Sequence, residues 1–253
     1  MTGKREGTIL AGIGGWTYEP WRGTFYPPKL PHARELEYAA SRLTAIEING
    51  TFYSSQKPAT FAKWRDAVPD GFVFSLKAQR SCTQRNDLSQ SGESIQRFVR
   101  QGITELGDRL GPILWQLPVR KTFDPDDMAA FLALLPKEQD GLPLRHVLEP
   151  RHPSFNDPAF FEIARKASVA LVFADSAEYP CFAEQTGPFS YARMQDARDD
   201  CETGYDAAAL DKWAAQARDW AEGGRDVFMF FINGAKVRAP AAAEALIERL
   251  KEQ

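Results

Sequence analysis

The densest run of chemically capable side chains is Arg145-His146-Val147-Leu148-Glu149-Pro150-Arg151-His152-Pro153. A carboxylate, a guanidinium and an imidazole follow a short apolar stretch and are bracketed by two prolines. Proline cannot donate to a sheet ladder, so a strand through Val147 and Leu148 must stop at Pro150. The charged groups therefore sit at a stiff strand-to-loop exit. A carboxylate there can serve as general acid or base, and arginine offers a planar fork to a carboxylate or phosphate.

The same kind of exit recurs along the chain. Apolar runs are predicted as strands at Thr8–Gly15, Ala45–Asn49, Phe72–Lys77, Pro112–Leu117, Arg145–Glu149, Ala170–Asp175, Phe189–Met194 and Val227–Asn233. Helical patterns are predicted at Ala33–Arg42, Pro58–Ala67, a stretch ending near Leu106, Asp124–Leu134, Pro158–Lys166, Ala207–Glu222 and Ala241–Lys251. The connection after the sixth strand, Ser176–Pro188, carries little helical signal. Strands alternating with helices imply a parallel sheet. Eight such units within 253 residues imply one (β/α)8 barrel of TIM type over residues 1–253, with an open doubly wound sheet as the alternative.

In such a barrel the active site lies at the C-terminal ends of the strands. Residues two apart on a strand share a face, which groups Glu47 with Asn49, and Val73 with Ser75 and Lys77. The strand ends then supply a polar ring of Glu47, Asn49, Lys77, Gln116, Glu149, Asp175, Arg193 and Asn233. Glu47, Lys77, Glu149 and Asp175 are the candidate catalytic residues. Glu149 and Asp175, on adjacent strands, are expected to push one carboxyl pKa upward and so provide an acid and a base together. Asn49, Gln116, Arg151, His152, Arg193 and Asn233 are candidate ligand contacts. Trp16 and Tyr53, from the aromatic loops after the first two strands, are candidate stacking surfaces for a sugar or a base. Lys77, Arg151 and Arg193, on the third, fifth and seventh strands, are expected to converge on an anion. The competing reading is that Arg193 is locked to a carboxylate as part of the scaffold.

Composition narrows the chemistry. The net charge of −3 creates no field that would draw the chain to nucleic acid or a membrane surface. No apolar run is long enough to span a bilayer, and Met1–Gly7 lacks a signal-peptide core. Cys82, Cys181 and Cys201 have no ligand spacing, which predicts a reduced, cytoplasmic protein without disulfides. Three histidines, His32, His146 and His152, are few for a transition-metal centre, and His146 and Glu149 fall on opposite faces of their strand. An all-oxygen site from Glu47, Glu149 and Asp175 is the remaining metal option. Gly12, Gly14 and Gly15 precede two tryptophans and a proline rather than a helix, so they are no dinucleotide turn. No phosphate-binding glycine pattern follows the last two strands, and no cofactor is implied.

Several motifs together resemble the YecE-like family, domain of unknown function seventy-two. They are Gly15-Trp16-Thr17-Tyr18, Trp21-Arg22-Gly23, Phe25-Tyr26-Pro27, Glu47-Ile48-Asn49, Thr51-Phe52-Tyr53, Thr60-Phe61, Trp64-Arg65, Pro69-Asp70-Gly71-Phe72-Val73-Phe74, Lys77-Ala78, Leu110-Gly111-Pro112-Ile113-Leu114, Gln116-Leu117-Pro118, Glu149, and Arg151-His152-Pro153-Ser154. The resemblance spans the chain and implies a (β/α)8 barrel, with no settled activity. The sequence departs from the family pattern at Gln84, Gln195, Gly234 and Arg238, at or near family positions for histidine or an Asn-Asn-Asp run. These departures point away from histidine or metal chemistry. The expected function is an enzyme acting on a small anionic, sugar- or nucleotide-like compound by carboxylate chemistry. The alternatives are a non-catalytic sensor of such a ligand and a metal-dependent nuclease or phosphatase.

Overall fold

The computed structural model describes residues 7–252. Eight parallel strands close into a barrel in sequence order: β1 (Ile9–Gly14), β2 (Ala45–Ile48), β3 (Val73–Lys77), β4 (Leu110–Gln116), β5 (His146–Glu149), β6 (Ala170–Asp175), β7 (Ser190–Met194) and β8 (Val227–Phe231). β8 pairs with β1 from Ile9↔Val227 to Ile13↔Phe231, which closes the sheet and removes its edges. The open-sheet alternative is thereby excluded.

Helices follow seven strands: α1 (Glu35–Arg42), α2 (Pro58–Asp66), α3 (Gly92–Val99), α4 (Pro125–Ala133), α5 (Pro158–Ala167), α6 (Ala207–Ala221) and α7 (Ala239–Lys251). Three of them start alike. Asp124, Asp157 and Asp206 each accept a backbone N–H of the first turn, and Pro125 and Pro158 occupy first positions where no N–H is needed. Residues 176–189 contain no helix, as their composition predicts. The third helix ends earlier than its pattern suggests, because Gly102 turns the chain at φ 106° into a separate 3-10 segment, Ile103–Arg109. An antiparallel hairpin, Glu138–Gln139 with Leu142–Pro143, was not predicted. Its signal is Asp140-Gly141, whose positive φ values of 49° and 79° suit a tight hairpin turn.

Side-chain alternation divides the core into two layers. Leu10, Ala45, Val73, Leu114, Val147, Val172, Tyr191 and Phe228 fill the barrel. Ile13, Ile46, Phe74, Leu76, Trp115, Leu148, Met194 and Phe231 pack toward the helices. Gly12 marks a closer approach than packing alone: a Cβ there would lie 1.7 Å from the Ala45 carbonyl oxygen. β1 and β2 can therefore pair only with glycine at that position. Among the described residues, no helix is long and apolar enough to cross a membrane.

Candidate functional site

Inward-facing positions at the C-terminal strand ends bring Glu47, Lys77, Gln116, Glu149 and Arg193 together, all of them buried. Arg193, only 2% exposed, is the hub. Its Nη1 donates to both oxygens of Glu149 (2.9 and 2.8 Å), its Nε to Glu47 Oε2 (3.1 Å) and its Nη2 to Glu47 Oε1 (3.0 Å). One guanidinium thus ties β7 to β2 and β5. Gln116 Nε2 donates to Glu149 Oε2 (2.5 Å), and Arg151 Nη2 to Glu149 Oε1 (3.3 Å). Tyr191 OH donates to Glu47 Oε2 (2.8 Å), with Ser75 Oγ 2.7 Å from the phenol oxygen.

These contacts set the electrostatics. Burial alone would raise the Glu149 carboxyl, but the Arg193 and Arg151 guanidiniums outweigh it and hold Glu149 below the ordinary carboxylate range. Burial and the nearby Glu47 charge keep the Tyr191 phenol well above its usual value. Burial would lower the Arg193 pKa, but Glu149 and Glu47 more than restore its charge. Arg193 is therefore an internal cation whose donors are turned to Glu149 and Glu47, the arrangement that the scaffold reading describes.

Lys77 differs from its neighbours. It is 8% exposed, and among the described residues its Nζ has neither an ion pair nor a hydrogen bond. The Phe52 ring lies 4.3 Å away. Thr51 Oγ1 donates to Lys77 O (2.7 Å), which fixes the turn carrying Phe52 over the ammonium. Burial, then the Arg193 charge, lowers the Lys77 ammonium to about 8, against the pull of Glu47 and Glu149. It is the group of the cluster able to change protonation near neutral pH.

Other predicted contacts separate into the rim and the periphery. Asn49 is half-buried, with Nδ2 3.4 Å from Glu47 O, and Tyr53 is 69% exposed beside Phe52. Arg151 lies 4.0 Å over the Tyr179 ring. Trp16 is half-buried and packs edge-on to Trp64 and against Phe74, which anchors the first loop. His152 is half-buried, and its Nδ1 accepts from Ser154 N and lies 2.8 Å from Ser154 Oγ, capping a short 3-10 turn.

Asp175 is a correction, and Asn233 meets the cluster only at its rim. On β6 the inward residues are Ala170, Val172 and Ala174, so Asp175 turns outward, where Tyr205 OH donates to its Oδ2 (2.7 Å). Burial raises its pKa, opposed by the Tyr205 hydrogen bond. No Glu149–Asp175 pair forms, and the predicted upward shift of one partner by the other does not arise. On β8 Phe228, Phe230 and Ile232 run inward, and Asn233 is exposed at the rim, where its Nδ2 donates to Gln195 Oε1 (3.5 Å). The all-oxygen metal set also fails geometrically: Asp175 faces away, and a guanidinium stands between Glu47 and Glu149. Among the described residues, no group of three His, Cys, Asp or Glu side chains is placed to hold an ion.

Three participants were missed as site residues. Tyr191 was legible, since it lies two residues before Arg193 on the same strand. Gln195 continues that alternation, and its Nε2 is buried without a partner among the described residues. Tyr179 lies in the irregular connection after β6, where no periodicity exists to place it. A separate cleft of about 820 Å³ lies at the opposite end of the barrel, beside Ile9 and Thr44. The charged cluster is remote from it, at the end where the strand termini converge.

A closed barrel of eight parallel strands with a polar cluster at their C-terminal ends defines a (β/α)8 protein of TIM type. The chain belongs to the family described as Protein of unknown function DUF72, which it matches over residues 10–253. A DUF72 family protein from Thermotoga maritima MSB8 superposes with a TM-score of 0.77 at 20% identity, covering 97% of this chain and 100% of that one. A DUF72 family protein from Enterococcus faecalis V583 gives a TM-score of 0.75 at 18% identity, covering 96% of each chain. In sequence, the chain is 27% identical over 160 residues to UPF0759 protein YunF of Bacillus subtilis, a match over 61% of this chain and 54% of YunF. The chain thus spans about half the length of that curated relative.

Proposed function

We propose that the chain binds a small anionic compound in the C-terminal mouth of the barrel and acts on it there. The observation that carries this reading is the charge balance of the mouth. Lys77, Arg151 and Arg193 face Glu47 and Glu149, three cations against two anions; Arg193 bonds both carboxylates and Arg151 bonds Glu149 as well. The excess positive charge rests on Lys77, which has no partner. Two buried donors, Arg151 Nε and Gln195 Nε2, have no hydrogen-bond partner among the described residues. Unanswered buried donors are costly, and a ligand rich in acceptor oxygens answers all of them. Exposed Tyr53 offers a flat face to the rest of such a ligand.

Chemistry then moves from Glu149, the expected acid or base, to Lys77. A carboxylate accepting from three donors through four contacts, and held ionised by two guanidiniums, is a poor proton donor. The reading is tested by thermal melts of the wild type and Lys77→Met in a series of sulfate and malonate. The wild-type melting temperature should rise with anion concentration by about 2–4 °C for each kcal/mol of binding, and the variant's should not. Identical anion responses in both proteins, or none in the wild type, would overturn it.

A further inference from the structure

We propose that Lys77 is a covalent nucleophile that forms a Schiff base with a small carbonyl compound bearing a carboxylate, of the 2-oxo acid class. The inference rests on the anion-site reading above and specifies what the anion carries. Four features of the geometry point to it. The amine is buried at the rigid end of β3, not on a mobile loop. Both carboxylates that could pair with it are turned to Arg193. The Phe52 ring covers it at 4.3 Å, so part of its hydration shell is replaced by an apolar surface. Two guanidiniums, Arg193 and Arg151, share the mouth. Desolvation and neighbouring cations are the two devices that make a lysine amine nucleophilic. The fall of its ammonium to about 8 is the consequence expected of them. A site built only to hold an anion has no use for this loss of charge, since a permanently charged arginine would hold it better.

The reaction balances without a redox partner. The neutral Nζ lone pair attacks the carbonyl carbon, and the C=O π pair moves to oxygen, which takes up a proton. One proton then passes from the now cationic nitrogen to the hydroxyl, and the freed nitrogen lone pair expels that oxygen as water. The net change is C=O replaced by a protonated C=N, one proton taken from solvent and one water released. The adjacent carboxylate of the substrate lies within the same mouth as the unpaired donors of Arg151 and Gln195.

The test is to incubate the full chain with pyruvate and sodium cyanoborohydride at pH 8 and map the reduced adducts by peptide mass spectrometry. Lys77 should be labelled at least about tenfold faster than the other lysines, because far more of its amine is neutral at that pH. Malonate, an anion without a ketone, should slow labelling at Lys77 only, and a neutral ketone such as acetone should label it more slowly than pyruvate. Labelling spread evenly over the lysines would overturn the proposal. Equal labelling by acetone and pyruvate would overturn its carboxylate half. Should malonate stabilise the wild type but not Lys77→Met while no adduct forms at Lys77, the Schiff base falls and the anion site stands. Absence of both effects removes both readings.

Discussion

Arg193 Nη1 donates to both oxygens of Glu149, at 2.9 and 2.8 Å, from β7 to β5 with β6 between them. On its other side the guanidinium holds Glu47 on β2 through two further contacts. It therefore acts as a strut across the mouth. Arg193→Met removes the cation that bonds both buried carboxylates. The expected loss is about 3–5 kcal/mol, the range for stranding a buried charge. Urea denaturation of the variant measures it, and a loss below 1 kcal/mol would show that the carboxylates relax to solvent or to Lys77.

Tyr191 supports the same strut from below. Its hydroxyl donates to Glu47 Oε2 and packs 2.7 Å from Ser75 Oγ. Tyr191→Phe keeps the ring that fills the barrel and removes only the hydroxyl. The cost should be about 1.5–3 kcal/mol, the value of a hydrogen bond to a charged group. Denaturant midpoints at unchanged slope give it directly.

Much of this arrangement was legible in the sequence, and its limits are physical. The strand count and the order of helices followed from apolar runs and their punctuation by proline and glycine. Alternation placed Glu47 and Lys77 correctly because β2 and β3 keep strict parity up to their last residues. It failed for Asp175, which was assigned by position at a strand end rather than by parity with Ala174. Spacing could show that Lys77, Arg151 and Arg193 converge. It could not show that Arg193 bonds both carboxylates, because that depends on side chains 146 and 44 residues away meeting at one guanidinium. The role of Lys77 follows from that pairing and so was hidden with it.

Asp175 gives a direct check on parity. Its carboxylate lies outside the barrel mouth and bonds Tyr205. Asp175→Asn should leave the anion-dependent rise in melting temperature unchanged. The basal stability should fall by no more than about 1–3 kcal/mol, as the phenol keeps an acceptor in the amide oxygen. Loss of the anion response in this variant would return Asp175 to the site.

Lys77 supplies the pH signature. Burial and then the Arg193 charge bring its ammonium down to about 8 in the fold, whereas a lysine in the unfolded chain titrates near about 10.4. Between these values the unfolded state binds more protons than the native state, so stability rises with pH across that window. Below pH 8 both states are protonated, and the native state carries the net cost of a largely buried ammonium that Glu47 and Glu149 offset only in part. Two pKa units correspond to a cost on the order of 2–3 kcal/mol. Lys77→Met, which fills similar volume without charge, should therefore be more stable than the wild type at pH 7 by about that amount. The difference should shrink as pH rises from 8 to 10. Denaturant melts of both proteins at pH 7 and pH 9.5 isolate this contribution from every other titrating group, because the two chains differ only at residue 77. A constant difference across the range, or a less stable variant at pH 7, would mean that Lys77 is paired in solution. Its place in the mouth would then be that of one more strut beside Arg193.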